Sequence, residues 1–272
     1  MVTNLSRNRG TILDEIMAFH RENLPKVMAE VPLENLRAFA SVAPPPRDFY
    51  GALKQPGVSL IAECKKASPS KGLLAPHYDP VQLARTYQRA GARAISVLTD
   101  SRHFQGSLEH LRDVSEVVKV PVLRKDFIFD PYQVYEARAA GADAILLIAA
   151  VLGNKDLREL LDLTHKLGMA ALIEVHTAEE VSRVLPLDPT VIGVNNRNLQ
   201  TFEVDFDNTA RLRTSIPSEI AVVGESGLKT AEDVRTMRDA GVDAVLVGET
   251  LIKSKNPEET ARAFIRAGQV SG

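Results

Sequence analysis

The chain has 272 residues, of which 44% are hydrophobic and 25% charged, with a formal net charge of -2. This length suits one large domain, and the absence of a basic block argues against nucleic acid and anionic membranes as partners. Cys64 is the only cysteine, which excludes an intramolecular disulfide, and no apolar run approaches the ~18 residues of a membrane span, so we expect a soluble cytoplasmic protein.

The first 58 residues are predicted to form a helical extension. Apolar residues at helical spacing predict one helix over Thr11–Val27 and a second, short helix over Pro32–Ala40. Three consecutive prolines from Pro44 form a stiff connector. We expect these helices to pack against the rest of the chain, near its functional end.

From Ser59 onward one pattern recurs: an aspartate or threonine begins a helix, a glycine ends it, and a short apolar strand follows. Asp and Thr are common N-cap residues, proline fits the first helical turn, and glycine fits the left-handed exit. Three such helices are delimited by Asp79 and Gly91, by Asp130 and Gly141, and by Thr230 and Gly241. Thr177 and Glu180 are spaced as a capping box, which predicts a further helix start.

Apolar segments predicted as strands begin about 20 to 35 residues apart, the length of a βα unit. They are Ser59–Cys64, Ala94–Leu98, Val120–Leu123, Ala144–Ile148, Ala170–Ile173, Val191–Val194, Ala221–Val223 and Ala244–Val247. Alternating helices and continuous apolar runs predict a parallel sheet covered on both faces. We therefore predict an α/β fold, a (β/α)8 TIM barrel over residues 59–272, with residues 1–58 as an N-terminal helical extension packed on it. A doubly wound open sheet is the alternative, but no G-x-G-x-x-G motif follows the first strand.

Charged, amide or small residues follow most of these strands. They are Glu63 and Lys65, Lys125, Glu174, Asn195 and Arg197, Glu225 and Ser226, and Gly248. The carboxyl ends of barrel strands are where (β/α)8 enzymes hold their chemistry. We therefore expect these residues to converge at one rim and to form an active site.

The lysines and their neighbours suit acid or nucleophilic chemistry. Glu63 and Lys65 lie two apart, so in extended chain they point the same way. Lys125 can donate a proton or form a Schiff base, and an ordinary lysine pKa of about 10.4 keeps it protonated at neutral pH. A surface Lys–Asp pair with Asp126 is the ordinary alternative for Lys125, but its position at a strand end favours function.

Glu174 ends an apolar strand, where a buried carboxylate is unfavourable without a role or partner. We interpret His176 as a loop or helix-start residue rather than a general base, because Glu174 is the better candidate for a side chain that points into the barrel. Arg197 is suited to clamp a carboxylate or phosphate, and Asn195 shares its face. No His or Cys spacing indicates a metal site.

The segments GESG and VGET place small residues where a strand gives way to a helix. Backbone N–H groups of Ser226, Gly227, Gly248 and Glu249 are therefore expected to hold a phosphate at helix N-termini. The loops after strands seven and eight are the usual phosphate site of this fold, so the two segments together are a stronger signal than either alone.

Several blocks of the chain resemble the signature segments of indole-3-glycerol-phosphate synthases. They are IAECKKASPSKG, LTDSRHFQGSLEHL, VPVLRKDFIFDPYQVYEARAAGADAILLI, LIEVHT, GVNNRNLQTFEVD and GESG, and the resemblance extends from about Ile12 to the C-terminus. It implies ring closure, decarboxylation and dehydration of 1-(2-carboxyphenylamino)-1-deoxyribulose 5-phosphate to indole-3-glycerol phosphate, a step of tryptophan biosynthesis. The implied partner is thus a small phosphorylated aromatic substrate, and the implied reaction uses neither a redox cofactor nor a metal.

The resemblance also implies catalytic roles. Lys125 matches the general acid that protonates the ribulose carbonyl, and Glu174 matches the acid/base of the dehydration. Glu63 and Lys65 match an assisting pair. The remaining catalytic candidates that it implies are Asn195 and Glu225.

Binding roles follow in the same way. Arg197 matches a substrate-orienting residue, and Ser226 matches a residue at the phosphate. Apolar positions around the anthranilate ring are matched by Phe104, Phe127 and Leu199. Ser68 is a further substrate-binding candidate, in the segment Ser68–Gly72, which has the composition of a mobile lid.

Two alternative functions stay open. A Schiff-base barrel aldolase would use Lys125 as its nucleophile, and a non-catalytic barrel would bind a phosphorylated metabolite without turnover. Two lysines and three glutamates at one rim argue against a pure binding protein, because such a protein has little use for so many opposed ionisable groups. We expect a monomer or a weak homo-oligomer.

Overall fold

The computed structural model describes residues 11–198 and 203–269. In chain order its strands are β1 Ser59–Cys64, β2 Ala67–Ser68, β3 Gly72–Leu73, β4 Ala94–Leu98, β5 Val122–Lys125, β6 Ala144–Ile148, β7 Ala170–Val175, β8 Val191–Asn195, β9 Ala221–Glu225 and β10 Ala244–Val247. β2 and β3 form a short antiparallel hairpin, and the other eight strands form a closed parallel barrel in which β10 pairs with β1. The predicted (β/α)8 barrel is confirmed.

Helices alternate with the barrel strands from β1 onward and cover their outer faces, and three further helices precede β1 within the described part of the chain. They are α1 Ile12–Glu30, α2 Leu33–Val42, α3 Phe49–Leu53, α4 Pro80–Ala90, α5 Leu108–Val117, α6 Pro131–Ala139, α7 Asn154–Lys166, α8 Ala178–Val184, α9 Asn208–Arg213, α10 Ala231–Asp239, α11 Glu249–Ile252 and α12 Pro257–Gly268. No helix among the described residues is both long enough and apolar enough to cross a membrane.

The predicted strand over Val120–Leu123 was wrong by two residues. Pro121 has no backbone N–H to donate to a ladder, and the strand begins at Val122, whose N–H donates to Asp143 Oδ2 at 2.6 Å. β7, β8 and β9 also extend one or two residues beyond their predicted ends. Glu174, Asn195 and Glu225 therefore lie within the hydrogen-bonded ladder, which fixes their side chains more firmly than a loop would.

The barrel interior has its own apolar core, separate from the layer between strands and helices. At the amino-terminal end of the barrel, Phe49 and Leu53 of α3 are almost fully buried against this interior core. α3 was not predicted, because five residues are too few to show helical periodicity. It closes the end of the barrel opposite the predicted site.

Two aspartates, the buried Asp143 and the partly buried Asp243, attach the N-terminal segment to this closed end. Asp143 Oδ2 pairs with Arg47 Nε at 2.8 Å and accepts the Val122 N–H, while its Oδ1 accepts the Arg47 N–H at 2.7 Å. Asp243 Oδ1 pairs in the same way with Lys54 Nζ at 2.8 Å. Each of these two aspartates therefore has a cationic partner at 2.8 Å.

α1 packs at the opposite rim, as expected for the N-terminal extension. Thr11 and Asp14 form a capping box at its start, and Ile16 is buried. His20 Nε2 lies 2.8 Å from Asp100 Oδ2, which belongs to the loop after β4. The helix continues to Glu30, three residues beyond the prediction.

Cys64, at the end of β1, is fully buried. Its Sγ lies 3.8 Å from the carbonyl oxygen of Pro80, and burial raises the pKa of the thiol far above its ordinary value, with a smaller contribution from Glu63. The thiol is therefore a packing group of the outer core rather than a reactive one.

Candidate active site

Strand register brings the predicted side chains together at the carboxyl-terminal rim. Glu174 is level with Gly193, and Asn195 is level with Glu225. Lys125 Nζ lies between two carboxylates, 3.3 Å from Glu174 Oε2 and 3.6 Å from Glu225 Oε2. The expected convergence of these side chains is therefore observed.

Glu63 and Lys65 form a second charged pair at the same rim. Lys65 Nζ lies 2.8 Å from Glu63 Oε1, and the Glu63 side chain is buried. A Cβ at Gly248 would lie 2.2 Å from the same Glu63 oxygen. Gly248 was predicted only as a phosphate contact, but its lack of a side chain also makes room for the carboxylate of Glu63.

The Lys125 side chain is held in its charged form. Burial lowers the pKa of Lys125, but the carboxylates of Glu174, Glu225 and Glu63 outweigh burial and raise the pKa above its ordinary value. The group is an ammonium at neutral pH. It is therefore equipped to donate a proton and to stabilise a developing oxyanion.

Glu174 and Glu225 flank the same ammonium but differ in their pKa values. Burial raises the pKa of Glu225 to about 8; Lys125 opposes this effect, and Glu174 and Glu63 add to it. Burial also disfavours the charged form of Glu174, but Lys125 and His176 outweigh it and lower the pKa. Two carboxyl groups with pKa values on either side of neutrality are the arrangement expected of an acid and a base.

His176 lies between β7 and the N-cap residue Thr177, as predicted for a helix-start residue, but its ring also reaches the site. Nε2 of His176 lies 3.5 Å from Glu174 Oε1, and Nδ1 lies 3.6 Å from Glu180 Oε2. His176 lies two residues after Glu174, so an extended chain places both side chains on the same face. The interpretation of His176 as only a loop or helix-start residue missed this contact.

The capping box predicted for Thr177 and Glu180 is only half formed. Thr177 Oγ1 accepts the backbone N–H of Glu180 at 3.2 Å. Glu180 Oε2 accepts the backbone N–H of His176 at 2.6 Å instead of the N–H of Thr177. The carboxylate is drawn one residue further back, where it also faces the imidazole.

A cavity of about 500 Å3 opens above Lys125. Phe104 and Phe127 form an aromatic wall, with ring centroids 6.3 Å apart. Leu146 and Ile148 extend this apolar surface from β6 and were not predicted, although their alternate positions in AILLI place them on the inward face. One side of the cavity can thus hold a flat apolar ring.

The N-terminal helix covers the apolar side of the cavity. Apolar residues of α1 that line it are Ile12, Leu13 and Ile16. Asp100 connects this helix to the barrel, since its Oδ2 lies 2.8 Å from His20 Nε2 and 3.1 Å from His103 Nδ1. Burial opposes the charge of Asp100, but these histidines and the backbone N–H groups of His103 and Phe104 lower its pKa to about 2.

Among the described residues, His20, Asp100 and Asp126 are the group whose atoms are close enough to share a metal ion. His20 Nε2 is at hydrogen-bond distance from Asp100 and 3.8 Å from Asp126 Oδ1. Asp126 Oδ2 is already engaged by the Thr99 hydroxyl and by Arg124. Hydrogen bonds therefore explain the cluster without an ion, and its position makes it a connection between α1 and the aromatic wall.

The other end of the cavity carries the four residues predicted to hold a phosphate: Ser226, Gly227, Gly248 and Glu249. Ser226 and Gly227 both have left-handed backbones, with φ of 65° and 87°. This conformation is costly for a serine and is typical of ligand-binding loops. Successive backbone N–H groups in such a turn form an anion-binding concavity.

Lysines that were not predicted add positive charge at this end. Those lining the cavity are Lys71, Lys229 and Lys253. Lys253 Nζ pairs with Glu249 Oε1 at 2.6 Å, so the Glu249 side chain is partly neutralised next to the proposed anion site. These lysines could not be predicted from the sequence, because single lysines in loops are also common on ordinary protein surfaces.

The remaining predicted binding residues divide into two groups. Ser68 and Arg197 line the cavity, and the Arg197 backbone N–H donates to Asn195 Oδ1 at 3.0 Å. Ser68 Oγ is buried and has no hydrogen-bond partner within the described residues. Leu199 lies outside the described residues.

Comparison with protein families and relatives gives a consistent result. A family model described as "Indole-3-glycerol phosphate synthase" matches residues 13–264. A protein of that name from Mycobacterium ulcerans (strain Agy99) is 49% identical over 259 residues, covering 95% of each chain. The protein of that name from Mycobacterium tuberculosis (strain ATCC 25177 / H37Ra) is 47% identical over the same length, again covering 95% of each chain.

Solved structures with low sequence identity share the fold. Thiamine phosphate pyrophosphorylase from Pyrococcus furiosus matches with a TM-score of 0.59 and 15% identity, covering 77% of this chain and 95% of that one. N-acetylmannosamine-6-phosphate 2-epimerase from Clostridium perfringens matches with a TM-score of 0.61 and 18% identity, covering 80% and 95%. These likenesses show the barrel alone.

Proposed function

The chain belongs to the indole-3-glycerol phosphate synthase family, and from that premise we propose that it converts 1-(2-carboxyphenylamino)-1-deoxyribulose 5-phosphate to indole-3-glycerol phosphate, CO2 and water. It is then a carboxy-lyase of tryptophan biosynthesis. The observation that carries the proposal is the position of Lys125 Nζ between Glu174 and Glu225 at the base of a cavity with one apolar and one cationic end.

The two ends of the cavity suit the two ends of this substrate. The anthranilate ring lies against Phe104 and Phe127. The phosphate is held by backbone N–H groups of Ser226 and its neighbours Gly227, Gly248 and Glu249. Ser68 and Arg197 contact polar groups of the substrate between these ends.

Lys125 acts as the general acid of ring closure. When the aromatic carbon attacks the ketone, negative charge develops on the ketone oxygen, and the Lys125 ammonium stabilises and protonates it. Loss of CO2 then restores the aromatic ring. Glu63 and Lys65 assist this step from the neighbouring strand, and Asn195 orients the substrate.

Glu174 completes the reaction as the acid/base of the dehydration. Its lowered pKa makes it a carboxylate, which removes the proton from carbon as the hydroxyl group departs. Glu225, with its pKa raised to about 8, remains protonated at neutral pH and is a second proton source. The two glutamates thus divide the base and acid functions.

A Schiff-base aldolase is the less favoured alternative. Schiff-base formation needs a neutral amine, whereas the surrounding carboxylates raise the pKa of Lys125. A non-catalytic binding barrel is disfavoured by the cost of keeping three glutamates buried at one rim without a reaction that uses them.

The direct test mixes the purified protein with the carboxyphenylamino substrate and follows indole fluorescence together with CO2 release. Equal amounts of both products support the synthase. Borohydride trapping with the same substrate gives a covalent adduct at Lys125 only in the aldolase alternative, and tight binding without either product is the outcome that supports the binding barrel.

We further propose that residues 59–272 are the catalytic barrel and residues 1–58 its accessory layer. The contacts of His20 with Asp100 and of Arg47 with Asp143 support this division, because they attach the extension to both ends of the barrel. A cytoplasmic location and a monomeric or weakly associated state stay predictions. Gel filtration with light scattering tests the latter.

A further inference from the structure

The reaction proposed above consumes a proton, and the inference that follows rests on that proposed function. The substrate carboxylate leaves as CO2, and the ketone oxygen receives two protons before it leaves as water. One proton is lost from the carbon next to the ring nitrogen. Each turnover therefore takes up one more proton than it releases, and this proton has to reach buried groups from solvent.

We propose that Glu180 and His176 form the route by which this proton reaches Glu174 from a second recess in the protein surface. Glu174 is buried, and its two oxygens face different partners. Oε2 lies 3.3 Å from Lys125 Nζ, and Oε1 lies 3.5 Å from His176 Nε2. A proton that arrives on Oε1 is thus delivered next to the ammonium that donates to substrate.

The second recess lies on the flank of the barrel, between the start of α8 and the loop after β6. Its polar lining includes Thr177, Glu179, Glu180 and Arg183. None of its lining residues lines the cavity above Lys125. His176 contacts Glu174 in one cavity and Glu180 in the other, so it lies at the boundary between them.

The imidazole is oriented for transfer in both directions. Both ring nitrogens are buried, and neither has a hydrogen-bond partner within the described residues. Each faces a carboxylate at ion-pair distance, Nε2 towards Glu174 and Nδ1 towards Glu180. A shift of about 0.5 Å brings either pair to hydrogen-bond distance. The residue is fixed by its backbone, whose carbonyl oxygen accepts from Asn208 Nδ2 and whose N–H donates to Glu180.

The charged surroundings keep the imidazole able to carry a proton. Burial lowers the pKa of His176, but Glu180 from α8, Glu174 from β7 and Glu225 from β9 outweigh it and raise the pKa. Arg183 favours the charged form of Glu180 from the recess side. The carboxylates on both sides of the ring therefore favour the protonated imidazole.

The transfer involves only protons on nitrogen and oxygen. The Glu180 carboxylate takes a proton from water in the recess and passes it to Nδ1 of His176, while the proton on Nε2 moves to Glu174 Oε1. A half-turn of the ring then exchanges the positions of its two nitrogens and restores the starting tautomer, while the delivered proton stays on Glu174. No other bond changes, and the single proton supplied equals the net requirement of the reaction.

The test compares His176→Ala, Glu180→Gln and the control Glu179→Gln in steady-state assays. At position 180, Gln keeps an oxygen that can accept the backbone N–H of His176, but its amide cannot take up and release a proton. Glu179 is the control because it is an exposed neighbour in the same recess. We expect kcat to fall about tenfold or more in the first two variants, with KM changed less than about twofold. We also expect kcat of His176→Ala to rise with the concentration of imidazole buffer. The control retains the parent kcat.

Parent-like kcat in both variants, or a loss in His176→Ala that imidazole does not restore, overturns the relay. A readout independent of turnover is the protonation of the His176 ring, followed by NMR. We expect its pKa to decrease in Glu180→Gln, and an unchanged pKa also overturns the proposal. If the parent protein itself makes no indole product, the proposed function fails instead, so the two failures are distinguishable.

Discussion

The two rims of the barrel treat buried charge in opposite ways. At the amino-terminal rim, Asp143 has Arg47 and two backbone N–H groups as partners. At the carboxyl-terminal rim, Lys125 is shared among several carboxylates, and Glu225 Oε1 has no hydrogen-bond partner within the described residues. At the first rim the carboxylate of Asp143 has its own partners, whereas at the second rim several carboxyl groups share one ammonium.

The difference separates folding from chemistry within one sheet. Charges that are fully partnered hold strands and the N-terminal segment in place. Charges that share a partner keep shifted pKa values and can exchange protons with a substrate. Substitutions at the two rims should therefore differ in whether they change activity or stability.

The largest effect is expected for Lys125→Met, which keeps most of the buried stem and removes the ammonium. We expect kcat to fall by about a hundred- to ten-thousand-fold, because the proton donor is lost. Circular dichroism and thermal unfolding should stay close to those of the parent. The exposed variant Lys155→Met is the control, and a Lys125→Met enzyme with parent kcat would refute the acid assignment.

At the opposite rim, Asp143→Ala should change stability rather than kcat. Burial raises the pKa of Asp143 although Arg47 opposes this effect. The attraction between the two charges therefore does not fully offset the cost of burying the carboxylate. Removal of the Asp143 carboxylate takes the counter-charge from Arg47 and leaves the backbone N–H groups of Arg47 and Val122 without their acceptor. We expect a cost of about 3 kcal/mol in the free energy of unfolding. Urea unfolding measures this cost, and the exposed Asp162→Ala should stay within about 0.5 kcal/mol of the parent. A large fall in kcat of the folded enzyme would contradict the separation of the rims.

A third comparison uses two glycines. A Cβ at Gly193 would lie 2.2 Å from Glu225 Oε1, whereas at Gly153 the nearest atom is Asp156 Oδ2 at 3.7 Å. Gly193→Ala should displace the Glu225 carboxyl and lower kcat by up to about 100-fold. Gly153→Ala should leave kcat unchanged. Equal kcat values for the two variants would show that the position of Glu225 is not critical.

The last comparison concerns pH. The folded pKa of Glu225, about 8, lies above the unfolded value of about 4.5. The stability that this group contributes is therefore fully present below about pH 4.5 and is lost as pH rises to about 8. The loss has a limiting slope of about 1.4 kcal/mol per pH unit. Relative to the parent, Glu225→Gln should gain stability over this interval and level off above it.

Urea unfolding of both proteins at several pH values measures the difference. A difference that does not vary with pH, or that reverses sign, would show that Glu225 is ionised in the folded protein at neutral pH. Glu63 and Glu174 are present in both proteins, so the two proteins differ in this one side chain.

Much of the barrel and of its rim could be predicted from the sequence because their signals are local. Strands such as Ala94–Leu98 and Ala144–Ile148 were predicted with their observed limits. The ends of β5, β7, β8 and β9 were not, since the ladder continues through polar residues when the neighbouring strand offers partners. Lys125 and Glu174 were predicted to lie at one rim because both follow barrel strands, and the carboxyl ends of these strands meet at the same rim.

The parts that could not be predicted depend on distances between segments remote in sequence. The space that Gly193 leaves for Glu225 exists only after β8 and β9 are in register. His176 was predicted correctly as a helix-start residue, but its position between Glu174 and Glu180 requires the turn that follows β7. The role of α3 as a plug is likewise visible only once the barrel is closed.

The burial of Cys64 makes this protein convenient for site-directed spectroscopy. Its only native thiol is enclosed by the outer core and resists deprotonation, so it should not react with maleimide or nitroxide reagents while the fold is intact. A cysteine introduced in the exposed β3 segment, for instance Leu73→Cys, would then carry the sole label. Motion of the β2–β3 hairpin relative to the cavity could be followed without first removing a native residue.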